Sequence, residues 1–215
     1  MNNKKEIAIK TALLLIKINA VSFRYNPPFV FTTGIKSPIY LDNRIVMSHP
    51  KERKKIVNYY IKILKENVGL ENIDCISATA SAAIPHGAWI AGKLNLPMIY
   101  VRPTTKTYGK GNKIEGVFAK KSRVVIIEDH ISTATSIAGN AQSIRELGGL
   151  VKYCVATTTY ETEISKKILL ENKIQLFALT TGQTIVKEAY KMKIISENEK
   201  KGVDKWFQNP QKWSP

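Results

Sequence analysis

Apolar positions along this chain alternate between helical and strand-like spacing. The run Ile7 to Ile18, interrupted by Lys10 and Lys17, predicts an amphipathic helix whose apolar face packs on the body of the protein or on a second subunit. From Val21 to Met47, turn and β-forming residues dominate, punctuated by Pro27-Pro28, Gly34 and Pro38. A helix is predicted over Lys51 to Asn67, a strand near Ile73 to Ala78, a helix from Ala82 to Leu94 and a strand at Met98 to Arg102. The β-branched run Val124-Val125-Ile126-Ile127 predicts a strand covered on both faces. Ile137 to Leu147 then reads as a helix stopped by Gly148-Gly149, with Arg145 in its last turn. A strand at Val151 to Thr157, a helix near Ile164 to Glu171 and a strand at Leu176 to Thr180 complete the series. Strands alternating with helices at this spacing imply right-handed crossovers and a mostly parallel sheet flanked by helices, an α/β fold.

Between the Val124 strand and the Ile137 helix lie Glu128-Asp129-His130-Ile131-Ser132-Thr133-Ala134-Thr135-Ser136. As a loop at the carboxyl edge of a parallel sheet, this stretch presents backbone N–H groups and the positive end of a helix dipole. The hydroxyls of Ser132, Thr133, Thr135 and Ser136 add donors suited to a phosphate. Two adjacent carboxylates before an anion site repel bare phosphate, so Glu128 and Asp129 suit neutral hydroxyls, as on a ribose ring. A capped strand-to-helix turn with solvated acids fits the nine residues equally well.

Glu-Asp-x-x-Ser/Thr-Thr-x-x-Ser after an apolar strand resembles the phosphoribosyl-diphosphate motif of type I phosphoribosyltransferases. Three further stretches resemble the orotate phosphoribosyltransferases: Phe31 to Arg44, Ala78 to His86, and Tyr100 through Lys106 to Gly116. With the tail Trp206 to Trp213, they run in that family's order from about Phe31 to the end. The resemblance implies a type I phosphoribosyltransferase fold, with an N-terminal helix and hood over 1–48 and a core over 49–215 carrying a flap at 103–116. It implies transfer of the 5-phosphoribosyl group of phosphoribosyl diphosphate to orotate, giving orotidine 5'-monophosphate and diphosphate. Lys106 and Asp129 are the implied catalytic residues. Implied contacts to phosphoribosyl diphosphate are Arg102, Lys106 and Tyr108, then Glu128, Asp129, His130, Ile131, Ser132, Thr133, Ala134, Thr135 and Ser136, with Thr79, Ala80 and Ser81 on a second loop. Lys36, Ser37 and Ser132 are the implied orotate contacts. Magnesium, held mainly by the substrate, is the implied cofactor, and a homodimer whose flap closes over the neighbouring subunit's site the implied assembly.

Composition adds little. The net charge of +16, from 33 Lys plus Arg against 17 Asp plus Glu, suits anionic small molecules and equally nucleic acid. No aromatic-interleaved basic motif or zinc-finger spacing supports a nucleic-acid module. Cys75 and Cys154 lie in apolar runs with no Cys-x-x-Cys motif, so buried thiols and a cytoplasmic location are expected. The Ile7 to Ile18 segment is about half the length needed to span a bilayer, so no membrane association is expected. A length of 215 residues fits one domain with an appended subdomain and no fused decarboxylase. His86 is expected to pack on a helix face and His49 to sit in a surface turn, and no histidine pair has metal-ligand spacing.

The chain also departs from the family it resembles. Ala78, Ala83 and Ala134 stand where glycine is usual, Tyr108 where histidine is usual and Pro103 where many members have lysine. Alanine at a positive φ costs on the order of 1 kcal/mol. Tyr108 can donate one hydrogen bond to a phosphate but carries no positive charge. Two other functions therefore stay open: transfer to another nucleobase, and a catalytically weak relative that senses phosphoribosyl diphosphate or binds RNA through its basic surface. Retention of Arg102, Lys106, Glu128 and Asp129 argues against the second.

Overall fold

This computed structural model describes residues 2–31, 34–103 and 113–214. Helix α1 (Asn2–Lys17) is followed by two short antiparallel pairs, β1 (Val21–Phe23) with β4 (Ile39–Leu41) and β2 (Phe29–Val30) with β3 (Lys36–Ser37). These pairs form the hood. A 3-10 turn (Asn43–Ser48) leads into α2 (Pro50–Ile63), which runs on into a π-helical turn (Leu64–Val68) closed by Gly69 at φ +80°. The core then alternates: β5 (Cys75–Thr79), α3 (Ile84–Leu94), β6 (Met98–Val101), β7 (Ile114–Glu115), β8 (Arg123–Ile131), α4 (Thr135–Glu146), β9 (Leu150–Thr159), α5 (Glu163–Glu171) and β10 (Gln175–Thr181). Helices α6 (Gly182–Lys191) and α7 (Glu197–Gln208) end it.

The central sheet has the order β10-β9-β8-β5-β6-β7. Every neighbouring pair is parallel except β6 with β7 at the edge. From β5 the chain winds outward to β6, and from β8 it winds the other way to β9 and β10. The strand order therefore reverses between β5 and β8, and the loops leaving their carboxyl ends diverge to open a crevice, the place where open α/β sheets bind ligands.

Both faces of the sheet are covered, as the unbroken β-branched runs require. Along β8, Val125 and Ile127 enter a core shared with α1, α2, α3, α6 and α7, while Val124 and Ile126 enter a second core under α4 and α5. Helix α1 packs its buried Ile7, Ala12 and Leu15 on the body of the protein, against α6 and β10. Cys75 and Cys154 are free, buried thiols, with burial pushing Cys75 up to about 11.

The expected elements are present, with three differences. β8 continues four residues beyond Ile127, so Glu128 to Ile131 belong to the strand and the loop starts at Ser132. Tertiary pairing with β9, through Glu128 with Ala156 and His130 with Thr158, overrides the weak strand propensity of the acids. Helices α6 and α7 were not anticipated: α6 starts at Gly182 without a separating loop, and the charges of α7 mask its stripe of Val203, Trp206 and Phe207. β7, two residues long, is below the reach of periodicity.

Ala78 explains one of the glycine replacements. Its methyl is fully buried against α3, where Gly87 leaves room: a Cβ built on Gly87 would meet the Ala78 Cβ at 2.9 Å and the Met98 Cε at 3.0 Å. Gly87→Ala is therefore expected to lower stability by about 1–3 kcal/mol, and Ala78→Gly in the same chain to recover part of that loss. Denaturant midpoints of the two single variants and the double variant measure the coupling; additive losses would mean that the two positions do not share this space.

Candidate active site

The crevice is floored by β8. Alternation along a strand sends adjacent residues to opposite faces, and the two acids accordingly separate. Glu128 is 6% exposed; its Oε1 accepts from the Asp129 N–H at 3.0 Å, and burial, then the neighbouring Asp129 charge, raises its pKa well above the ordinary range. The Thr79 hydroxyl beside it accepts from Asn140 Nδ2 of α4 at 3.1 Å, and Asn140 Oδ1 accepts from Ser77 at 3.0 Å. Asp129 faces the other way, into a cavity of about 790 Å³. Of the two acids expected at a ribose, Asp129 opens on the cavity and Glu128 lies beneath it in the sheet.

Interior groups hold the end of β8. Tyr60 Oη donates to the Glu128 carbonyl at 2.7 Å, and Asn43 Nδ2 donates to the Asp129 carbonyl and to Thr158 Oγ1, each at 2.7 Å. His130 Nδ1 lies 2.8 Å from the same Thr158 hydroxyl, and its ring meets Tyr160 edge to face at 4.3 Å. Burial lowers the His130 pKa to about 4, so the ring is neutral near pH 7. Ile131, an implied substrate contact, is 1% exposed and packs under α4, so its side chain belongs to the core.

The loop after β8 turns at Ala134, held at φ +66° and ψ 8°. Thr162 Oγ1 donates to the Ser132 carbonyl at 2.7 Å, and the Thr133 and Thr135 hydroxyls lie 3.1 Å apart. No side chain caps α4, so its first N–H groups face outward beside the exposed Thr135 and Ser136, the arrangement that binds a phosphate. Of the three replaced glycines, only Ala134 occupies left-handed backbone; Ala83 has φ −84°. On the loop after β5, the amides of Ala80, Ala83 and Ile84 donate to Val101, Thr79 and Ser81 carbonyls, and the Ala80–Ser81 peptide is cis. Ser81 is exposed at the crevice edge. His86 is 1% exposed, between Tyr60 and Trp89, with burial lowering its pKa.

Arg102 follows β6 and pairs with Glu115 of β7 at 3.2 Å, across the base of the segment expected to be a flap. Lys106, Tyr108 and most of that flap lie outside the described residues. The hood supplies Phe31, Ile35, Tyr40 and Arg44 to the cavity wall, and the C-terminal tail supplies 206–211. Of the residues expected to meet a base, Ser37 is fully buried with its Oγ donating to the Ile39 carbonyl at 2.7 Å, and Lys36 is exposed and gives its carbonyl to the Trp206 indole N–H at 2.8 Å. Ser132, Thr133 and His130 do line the cavity. Asn43, Tyr60, Thr158 and Thr162 were missed because a residue that holds a backbone carbonyl carries no local motif. Arg44 and the tail lie within the stretches that carry the family resemblance, which implies no role for them.

A strand reversal at β5/β8, an uncapped helix following an acid-bearing strand and a hood above them define a type I phosphoribosyltransferase. No protein-family model matches the chain. Over 215 residues it is 39% identical to the orotate phosphoribosyltransferase of Coxiella burnetii, covering 100% of both chains. The chain belongs to the orotate phosphoribosyltransferase family. The crystal structure of orotate phosphoribosyltransferase from Aeropyrum pernix aligns with a TM-score of 0.74 and 26% identity, over 83% of this chain and 97% of that one. The UMP synthase of Leishmania donovani shares the fold at a TM-score of 0.77 and 24% identity; 93% of this chain is covered, and it spans 42% of that longer chain.

Two consequences can be measured. Ala134→Val places a β-branched residue in left-handed backbone and is expected to cost at least about 2 kcal/mol, whereas Ala134→Gly trades relief of strain against a lost buried methyl and stays within about 1 kcal/mol of wild type. Equal melting temperatures for the valine variant and wild type would contradict this loop conformation. For His130, a folded pKa near 4 against the ordinary 6.5 gives a contribution present above pH 6.5 and lost as pH falls toward 4. The stability difference between wild type and His130→Asn should therefore shrink by about 3 kcal/mol from pH 7 to pH 4, the Glu128 contribution cancelling in the comparison. A difference independent of pH would show that His130 is protonated alike in both states.

Proposed function

We propose that this protein transfers the phosphoribosyl group of phosphoribosyl diphosphate to orotate, releasing diphosphate. The observation that carries this is the junction of two unlike surfaces in one crevice. Asp129, Ser132 and Thr133 line a cavity whose opposite wall is built from hood and tail aromatics, while the uncapped start of α4 lies at the adjoining edge. The 5-phosphate would sit on the N–H groups and hydroxyls of Ser132 to Ser136. Asp129 would hold the ribose hydroxyls and place negative charge beside the ring as C1 becomes cationic. Glu128, buried behind it, would act by fixing the Asp129 N–H. Arg102 would exchange Glu115 for the diphosphate, and Lys106 would neutralise charge on the departing oxygens. The exposed Ser81 loop would take the other end of the diphosphate. Positioning and electrostatics would supply most of the rate gain.

Among the described residues no three His, Cys, Asp or Glu side chains converge as a metal site. Asp129 alone at the end of β8 suits a cation that keeps most of its ligands from phosphate and water, which fits magnesium brought by the diphosphate. Magnesium so bound supplies positive charge against the leaving group. The assembly proposed is a homodimer whose flap serves the partner's site. Two free, buried thiols fit a reducing compartment, and among the described residues no helix is long and apolar enough to cross a membrane; a cytoplasmic location is the corresponding proposal, which fractionation of the native cell would test.

Magnesium-dependent loss of orotate absorbance with phosphoribosyl diphosphate tests the reaction. Wild type is expected to turn over, and Lys106→Ala and Asp129→Asn each to lose at least about 100-fold in kcat. Mixing the two variants restores about a quarter of wild-type activity if the flap crosses between subunits, because half of randomly paired dimers carry one intact site. No turnover by wild type would overturn the reaction, and no recovery on mixing the shared flap.

A further inference from the structure

The C-terminal tail makes up one wall of the cavity, and none of the site residues discussed above explains its chemistry. The Trp206 indole N–H donates to the Lys36 carbonyl at 2.8 Å, and its ring meets Phe31 of the hood at 6.1 Å and Tyr160 at 4.9 Å, both edge to face. Trp213 closes the tail from the far side, its indole N–H donating to the Gly202 carbonyl at 3.0 Å and its ring meeting Tyr25 at 5.5 Å. Between these two anchors, the chain leaves α7 at Asn209 and passes along the cavity through Pro210 and Gln211. Asn209 is oriented there: its Oδ1 accepts from the Lys212 N–H at 3.2 Å, so the amide oxygen is engaged within the tail and the NH₂ group is the free end. Gln211, also lining the cavity, can both donate and accept.

We propose that the tail selects the base, with Asn209 donating to an oxygen on its edge and Gln211 pairing with its imide edge. The proposal rests on the reaction above. Orotate is a planar anion with a carboxylate, two ring carbonyls and one imide N–H, so its edge needs donors at the oxygens and one acceptor at the nitrogen. A neutral wall of amides over aromatic rings meets that pattern. Tyr40, Asp42 and Arg44 of the hood share the cavity with the tail, and Arg44 is held by Asp42 at 2.7 Å, which leaves the Asn209 NH₂ and the Gln211 amide to meet the base edge on that side. A site that hydrogen-bonds a ligand edge also rejects ligands lacking it, because the site's own polar groups are then left unpaired.

Asn209→Asp separates selection from structure. It retains an oxygen to accept from the Lys212 N–H, so the tail turn is kept, while the donor becomes a negative charge facing an anionic base. The expected result is a fall in kcat/KM for orotate of about 100-fold for Asn209→Asp and about tenfold for Asn209→Ala and Gln211→Ala, tenfold being 1.4 kcal/mol, with the KM for phosphoribosyl diphosphate unchanged. Calorimetric binding of orotidine 5'-monophosphate should weaken in the same order, and inorganic phosphate binding should not change. Active wild type with unaltered orotate kinetics in all three variants would overturn the tail's role and leave the reaction standing. Wild type that neither turns over orotate nor binds orotidine 5'-monophosphate would overturn both.

Discussion

Two hydrogen bonds to consecutive carbonyls hold the end of the central strand, and the site is arranged around them. Tyr60 reaches the Glu128 carbonyl from α2, and Asn43 reaches the Asp129 carbonyl from the turn that follows the hood. Carbonyls at the carboxyl end of a sheet edge toward solvent, where their partners could be water. Here both are taken by buried side chains whose own remaining contacts, Thr157 and Thr158, lie on the neighbouring strand β9. β8 and β9 are thereby joined to two separate parts of the chain at the point where the acids emerge. The Asp129 carboxylate is consequently carried on a backbone fixed by side chains from two separate segments, which the proposed reaction, run by electrostatic positioning, requires.

The same constraint separates the acids. Alternation along β8 from Val124 to Asp129 sends Glu128 and Asp129 to opposite faces. Glu128 enters a polar seam between the sheet and α4, with Thr79, Asn140 and Ser77, and burial favours its neutral form. A second full charge so close to Asp129 would be costly to bury, so the fold reduces it by desolvation while keeping its oxygen for the Asp129 N–H. His130, one residue further, follows the same logic: it is neutral, tied to Thr158 and covered by Tyr160. In three consecutive titratable residues, only the middle one opens as an acid on the cavity.

What was legible in the sequence follows from range. Val124 to Ile127 declares a buried strand because neighbouring residues suffice to show it, and the end of α4 before Gly148-Gly149 is legible for the same reason. The strand's true end was not legible, since pairing with β9 decides it and no local pattern of Glu-Asp-His-Ile reports that pairing. The alanine replacements illustrate the limit from the other side. Three similar substitutions met three different backbones: a packed methyl at Ala78 matched by Gly87, an ordinary helical turn at Ala83, and left-handed strain at Ala134 alone. Only coordinates distinguish them, because φ is a property of the position and not of the residue. The burial of Glu128 and Ser37 is likewise invisible to a motif, which does not report the face on which a side chain falls.

Hood and tail complete the site by a different kind of contact. The wall they share is closed by edge-to-face rings, Phe31 on Trp206 and Trp206 on Tyr160, with one indole hydrogen bond to the Lys36 carbonyl. Such contacts are individually about 0.5–1.5 kcal/mol beyond the area they bury, and they orient without introducing charge. The proposed phosphate side works oppositely, with helix amides, hydroxyls and a carboxylate at a solvent-facing edge. A planar base and a charged sugar phosphate make opposite demands on dielectric, and one uniform pocket would serve one of them poorly. Setting the two surfaces on different segments, with Tyr160 and His130 in contact where they meet, would let the proposed base side be shape-selective while the proposed phosphate side remains polar. On the proposed assignment, base preference can then change through the hood and tail without disturbing the strand end that carries Asp129.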